Sequence, residues 1–252
     1  MEKKFELTDK FVFNTFGIKL FQIKCTKSFK YAKEGDLGGY VEKDENLDQE
    51  SNAWVSGDAQ VSGDAQVSGD AWVSGDARVF GNARVFGNAQ VSGDARVSGD
   101  AQVSGDARVS GDAWVSGDAR VFGNAWVSGD AQVSGDARVS GDAQVSGDAW
   151  VSGDAQVSGD AWVSGDAQVS GDADIENDNN HCGFDCFGSC NRHTHAYLTK
   201  DNKVEITCGC FRGSIEEFEK EVEKTHSGTI YEKQYKAIIN VIKIKFGLTD
   251  LI

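Results

Sequence analysis

From Ala53 onward, apolar and polar positions follow a fixed six-residue order, Ala-x-Val-(Ser/Phe)-Gly-(Asp/Asn), repeated twenty times without a break to residue 172. A degenerate copy follows at residues 173–178. Ala53 and Val55 stand two apart, so on an extended strand they share one side and Trp54 takes the other. Gly57-Asp58 supplies the turn, because Gly accepts a positive φ and Asp can bond the backbone beside it. A unit this short cannot cover its own apolar side, so units of constant length must stack as a solenoid. Before the repeats, residues 11–16 and 19–25 alternate around Gly17 as a hairpin, and Gly35-Asp36-Leu37-Gly38-Gly39 turns the chain toward the first unit. After them, residues 196–199 and 203–208 flank Asp201-Asn202, a second hairpin signal. Ser214-Ile215-Glu216-Glu217 and Thr229-Ile230-Tyr231-Glu232 are capping boxes that open two helices. Their apolar stripes run through Phe218 and Val222, then Tyr235, Ile239, Ile242 and Phe246. The pattern predicts a mainly β chain: an N-terminal β cap over 1–52, a solenoid over 53–178, and a ββαα unit carrying Cys and His over 179–252.

The aliphatic residue followed four positions later by a small one, as in Val55 and Ala59, resembles the hexapeptide-repeat, left-handed parallel β-helix family. That resemblance implies three hexapeptides per triangular coil, hence about seven coils and, at ~4.8 Å each, a rod roughly 32 Å long. Ser or Phe after the Val departs from the family's usual small or acidic residue. The best-known members are acyltransferases, with a His between coils as general base and a loop leaving the helix to help form the site. The repeats here contain neither a His nor an insertion, which disfavours acyl transfer by the solenoid. The layout also resembles solenoid proteins of phages and prophages. This second resemblance rests on Gly35-Asp36-Leu37-Gly38-Gly39-Tyr40, Asn191-Arg192-His193-Thr194 and Cys208-Gly209-Cys210-Phe211-Arg212-Gly213-Ser214. It implies a phage origin and action in the bacterial host cytoplasm, and no particular activity.

Composition narrows the reading further. The 252 residues hold 30 Gly and no Pro, which excludes collagen, whose period is three and which needs proline. Forty acidic against 25 basic side chains give a net charge of -15, and residues 53–172 alone carry seventeen Asp and six Arg. Such an excess argues against direct binding to nucleic acid or an anionic membrane and favours basic partners. No apolar run is long enough to span a bilayer, and the first residues lack a signal-peptide core. The six Cys are therefore expected reduced.

With three units per coil, every third unit shares a side. The first side then carries Trp54, Trp72, Gln90, Arg108, Trp126, Gln144 and Trp162, with Asp58, Asp76, Asp94, Asp112, Asp130, Asp148 and Asp166 at its corner. Asn82 interrupts the second corner row, and Asn88 and Asn124 the third, whose side carries no Trp. An unbroken row of like charges repels itself unless cations or a basic partner neutralise it. Exposed Trp beside it provides rigid amphipathic anchors. The seven Asp with Trp54, Trp72, Trp126 and Trp162 are the candidate partner surface. The expected partner is a basic, nucleic-acid-handling host protein such as a defence nuclease or CRISPR effector, held by a non-enzymatic nucleic-acid mimic. Asp in a Gly-Asp turn is also ordinary turn chemistry, and Trp can stack to protect a sheet or pack in a homo-oligomer. A self-associating virion or assembly protein is thus one alternative; an acyltransferase-like or ligand-binding protein with its site in the carboxyl unit is another. There, Arg192, His193 and Tyr197 are the candidate pocket for an anionic ligand, to which only the phage resemblance directs attention. Cys186, Cys190, Cys208 and Cys210 are a candidate zinc set of irregular spacing, to be weighed against small buried thiols that bind nothing.

Overall fold

The structure is a computed structural model that describes residues 3–248. Each x-Val pair forms a two-residue strand, from β4 (Trp54–Val55) to β24 (Asp174–Ile175), and each strand pairs in parallel with the one 18 residues on. The 21 strands sort into three ladders of seven. Every Val and Ala of the repeats points inward and is buried, so the interior is a stack of small apolar side chains matched to a narrow bore. Backbone amides of successive turns bond upward, as Trp54 N to Ala71 O at 3.0 Å and Asp58 N to Gly75 O at 2.9 Å. The corner glycine is required twice over. Gly111 has φ +68°, and a Cβ there would stand 2.9 Å from the backbone N and O of Gly129 in the next turn.

The parallel pairing reaches back beyond the first repeat. Strands β1 (Phe5–Phe13), β2 (Lys19–Cys25) and β3 (Leu37–Val41) are antiparallel to one another, but β3 pairs in parallel with Gln60 and Val61, and Leu47 bridges Val67. Most of an additional turn is thereby built from non-repeat sequence, giving about eight turns in all. The open lower edge has carbonyls with no turn beneath them. Lys4 Nζ donates to the carbonyls of Asp48, Ser51 and Ala53 at 2.5 to 2.8 Å, and Asn46 Nδ2 to those of Gly63 and Ala65. Burial brings the Lys4 ammonium down to about 8.

The carboxyl unit is a four-stranded antiparallel sheet, β25 (His181–Phe187), β26 (Arg192–Leu198), β27 (Val204–Cys208) and β28 (Phe211–Ser214), followed by α1 (Ile215–His226) and α2 (Ile230–Lys245). The β26–β27 hairpin closes through Asn202 at φ +55°. Two strands, β25 and β28, flank the hairpin that the sequence pattern marks. Ser214 and Glu217 form the reciprocal cap of α1, whereas Glu232 reaches past the α2 N-cap, Thr229, to the amide of Gly228. One face of the sheet packs with Phe218, Val222, Ile239 and Ile242 of the helices. The other face of β26 covers the upper end of the solenoid, where His195 Nδ1 and Thr207 Oγ1 reach Gln168 O at 3.4 and 2.9 Å.

Candidate functional site

The ladders reproduce the three sides read from the 18-residue spacing: Trp54 is in register with Trp72, Arg108 with Trp126, and Gln144 with Trp162. The residues Asp58, Asp76, Asp94, Asp112, Asp130, Asp148 and Asp166 are all exposed and run along the edge between the first and second faces. No side chain among the described residues bonds or pairs with any of these seven carboxylates. The other two edges are compensated in part, with Asp118, Asp136, Asp154 and Asp160 as bare as the first row. Asn82, Asn88 and Asn124 each donate Nδ2 to the Asp one turn above, Asp100, Asp106 and Asp142, at 2.8 to 2.9 Å. Lys43 bonds Asp64, and Lys30 and Asn52 bond Asp70, which holds both carboxyls below the usual carboxylate range. Lys200 stands 3.8 Å from Asp172. Each Asn replaces a repulsive neighbour by a hydrogen-bonded one, and only the first edge lacks any such relief.

The exposed tryptophans share a recurring contact. Trp72, Trp114, Trp126, Trp150 and Trp162 each donate Nε1 to the Ser hydroxyl one turn below, at 2.8 to 3.3 Å. Trp54 does not belong to the accessible surface: it is 3% exposed, because the β2–β3 loop lays Phe29 edge-on against it at 5.4 Å. Tyr31 of the same loop stacks on Trp72 at 5.7 Å. The accessible anchors on the first face are Trp72, Trp126 and Trp162, 40%, 45% and 56% exposed. Trp114 and Trp150 on the second face join them, standing two residues past Asp112 and Asp148 across the same edge. The two faces thus carry matched Trp-Gln-Trp columns, 126/144/162 and 114/132/150. The second column was readable in the sequence, since each corner Asp precedes the next face's x residue by two positions.

In the carboxyl unit, Arg192, His193 and Tyr197 do not converge. Alternation along β26 sends His193, His195 and Tyr197 to the solenoid side, their rings 5.6 and 5.7 Å apart in succession, while Arg192 faces the helices. His193 is anchored by Asp185 at 2.5 Å, and His181 Nδ1 lies 3.0 Å from His195 Nε2. Burial drives the His195 imidazole down to about 3 and also lowers His181, while burial raises the Tyr197 hydroxyl. His181, His195 and Tyr197 pack between the unit and the last turn. The proposed zinc set is not assembled either. Cys190, Cys208 and Cys210 line one cavity of about 480 Å³, but Cys186 is exposed outside it, with φ +62°. Among the described residues no group of three His, Cys, Asp or Glu can hold a metal ion.

The solenoid is similar to the YdcK beta-solenoid repeat family, whose model matches residues 59–75, 89–101, 101–117, 113–129, 131–147 and 155–171. No curated protein matches the chain. Among the described residues no helix is long and apolar enough to cross a membrane.

Proposed function

We propose that the chain is a non-enzymatic binding protein whose solenoid engages a basic, nucleic-acid-handling protein along the edge from Asp58 to Asp166. The observation that carries this reading is the uneven compensation of the corners: Asn and Lys relieve part of the second and third acidic rows, and the first is left as an unbroken run of seven bare carboxylates. A partner's Lys or Arg would supply the missing counter-charge, and charge complementarity of this kind steers encounter and fixes register. Trp72, Trp114, Trp126, Trp150 and Trp162 beside the row would supply desolvated anchors, their indole N–H groups already satisfied by Ser. One carboxylate per turn gives a row spaced at ~4.8 Å, wider than the ~3.4 Å of one DNA strand's phosphates along the helix axis. The row thus offers a run of negative charge and not a copy of phosphate register. A channel built for phosphates suits the row through that charge. The reading places the protein in a bacterial cytoplasm as a decoy for such a channel.

Affinity capture from a bacterial lysate with the intact chain, eluted by a salt gradient, tests it. The expected result is one basic nucleic-acid enzyme released at intermediate salt. Recovery of the chain alone, as concentration-dependent oligomers, would replace this reading with self-association through the Trp faces.

A further inference from the structure

A cavity in the carboxyl unit lies away from the acidic edge and is lined by different residues. The cavity of about 480 Å³ between β26, β27 and α1 falls within the size range of small-molecule pockets, roughly 300–1,000 Å³. Its wall is apolar and aromatic: Phe211 and Phe218 lie with ring centroids 5.0 Å apart, and His226 stacks on Tyr235 at 5.4 Å. Two glycines make room for its polar groups. A Cβ on Gly209 would stand 2.5 Å from Arg192 Nη1, and one on Gly188 would overlap the Tyr235 hydroxyl, so both side chains rest directly on backbone. Both glycines have positive φ, 59° and 75°.

The charges around the cavity are unbalanced. Arg212, in the same unit, is matched to Glu205 by bonds of 3.0 to 3.3 Å, and the rim residue Glu221 already pairs with Lys224 at 3.1 Å. The Arg192 side chain, exposed at the cavity, makes no hydrogen bond or ion pair with any described residue. The Tyr235 hydroxyl meets only the Cys208 sulfur, at 3.9 Å, a weak partner for an O–H. Burial pushes Tyr235 up to about 12, so it keeps its proton. A guanidinium and a hydroxyl without oxygen partners, over an aromatic wall, suit one class of molecule.

We propose that this cavity binds a small organic anion, Arg192 and Tyr235 taking its negative group and the Phe211–Phe218 wall its flat apolar body. The guanidinium accepts a carboxylate or a phosphate in the same bidentate manner. The geometry fixes the class, and competition distinguishes the two.

The probe is 1-anilinonaphthalene-8-sulfonate, which joins an anion to a flat apolar body, titrated into the intact chain. Its fluorescence should saturate at one site. Arg192→Gln should weaken that binding about tenfold, and Arg192→Lys should recover part of the loss. Phenyl phosphate and benzoate should displace the dye, the one acting at lower concentration naming the anion. The bound dye should also slow iodoacetamide alkylation of Cys190 and Cys210, which line the cavity, and leave that of the exposed Cys186 unchanged. Equal affinity in Arg192→Gln, failure of both competitors, or equal protection of Cys186 would overturn the proposal. The alkylation pattern of the wild-type chain decides the matter if a variant fails to fold.

Discussion

Replacing His195 by Gln probes how the carboxyl unit is seated on the solenoid. The imidazole is almost completely buried, with His181 Nδ1 at 3.0 Å, the His193 and Tyr197 rings within 6 Å and the Gln168 carbonyl at 3.4 Å. Desolvation brings its folded-state pKa to about 3, against 6.5 for an ordinary histidine. Above pH 6.5 the ring is neutral in folded and unfolded chains alike, and it adds no pH dependence. Below that value the unfolded chain takes up a proton that the folded chain refuses, so stability falls with pH until the folded pKa is reached. At pH 5 the loss from this one residue is about 2 kcal/mol. A Gln amide can still donate to Gln168 O but binds no proton. Urea unfolding followed through the helical far-UV signal should therefore show the wild-type chain losing about 2 kcal/mol more than His195→Gln between pH 7 and pH 5. The other titratable groups are common to both chains, so the comparison isolates residue 195. Parallel pH profiles for the two proteins would refute the claim that His195 is held neutral at this junction.

Two further substitutions test the solenoid itself. Gly111→Ala and Gly165→Ala both force a side chain into a left-handed conformation, φ +68° and +65°, at about 1 kcal/mol. Only Gly111 has the next turn's backbone 2.9 Å from the new Cβ, while Gly165 has nothing within 4 Å. Gly111→Ala should therefore lower the melting temperature clearly more, and equal shifts would contradict the close stacking. Asn124→Asp removes the 2.8 Å bond to Asp142 and restores an acidic pair, so it should destabilise by under ~1 kcal/mol at low salt. Melting in added salt should recover part of that loss.

The stacking of the solenoid was legible because a strict six-residue period leaves no freedom of register: once three units make a turn, Trp126 must lie over Arg108. The burial of Trp54 was not. Phe29 and Tyr31 sit in a loop without periodicity, and nothing local to them shows that the chain folds back over the first face. The additional turn was hidden for a similar reason, since Tyr40, Val41 and Leu47 occupy inward and outward places without the Gly-Asp corner that marks the repeats. In the carboxyl unit, β25 is interrupted by Gly183 and by Cys186 at positive φ, which blurs its alternation. Reading β26 only from Ala196 also concealed that Arg192 and His193 must part to opposite faces of one strand. The cavity depends on sheet and helices closing together, a tertiary fact that spacing alone does not contain.

The central claim is that the first acidic edge, and not acidity in general, recognises a basic partner. Two variants of equal charge separate these. One carries Asp94→Asn, Asp112→Asn, Asp130→Asn and Asp148→Asn on the first edge; the other carries Asp100→Asn, Asp118→Asn, Asp136→Asn and Asp154→Asn on the second. Both would be compared with the wild-type chain for capture of the same basic protein from bacterial lysate across a salt gradient. The first variant should lose the partner at markedly lower salt, and the second should elute with the wild type. Equal weakening in both variants would show that charge acts without an address and would contradict the assignment of that edge.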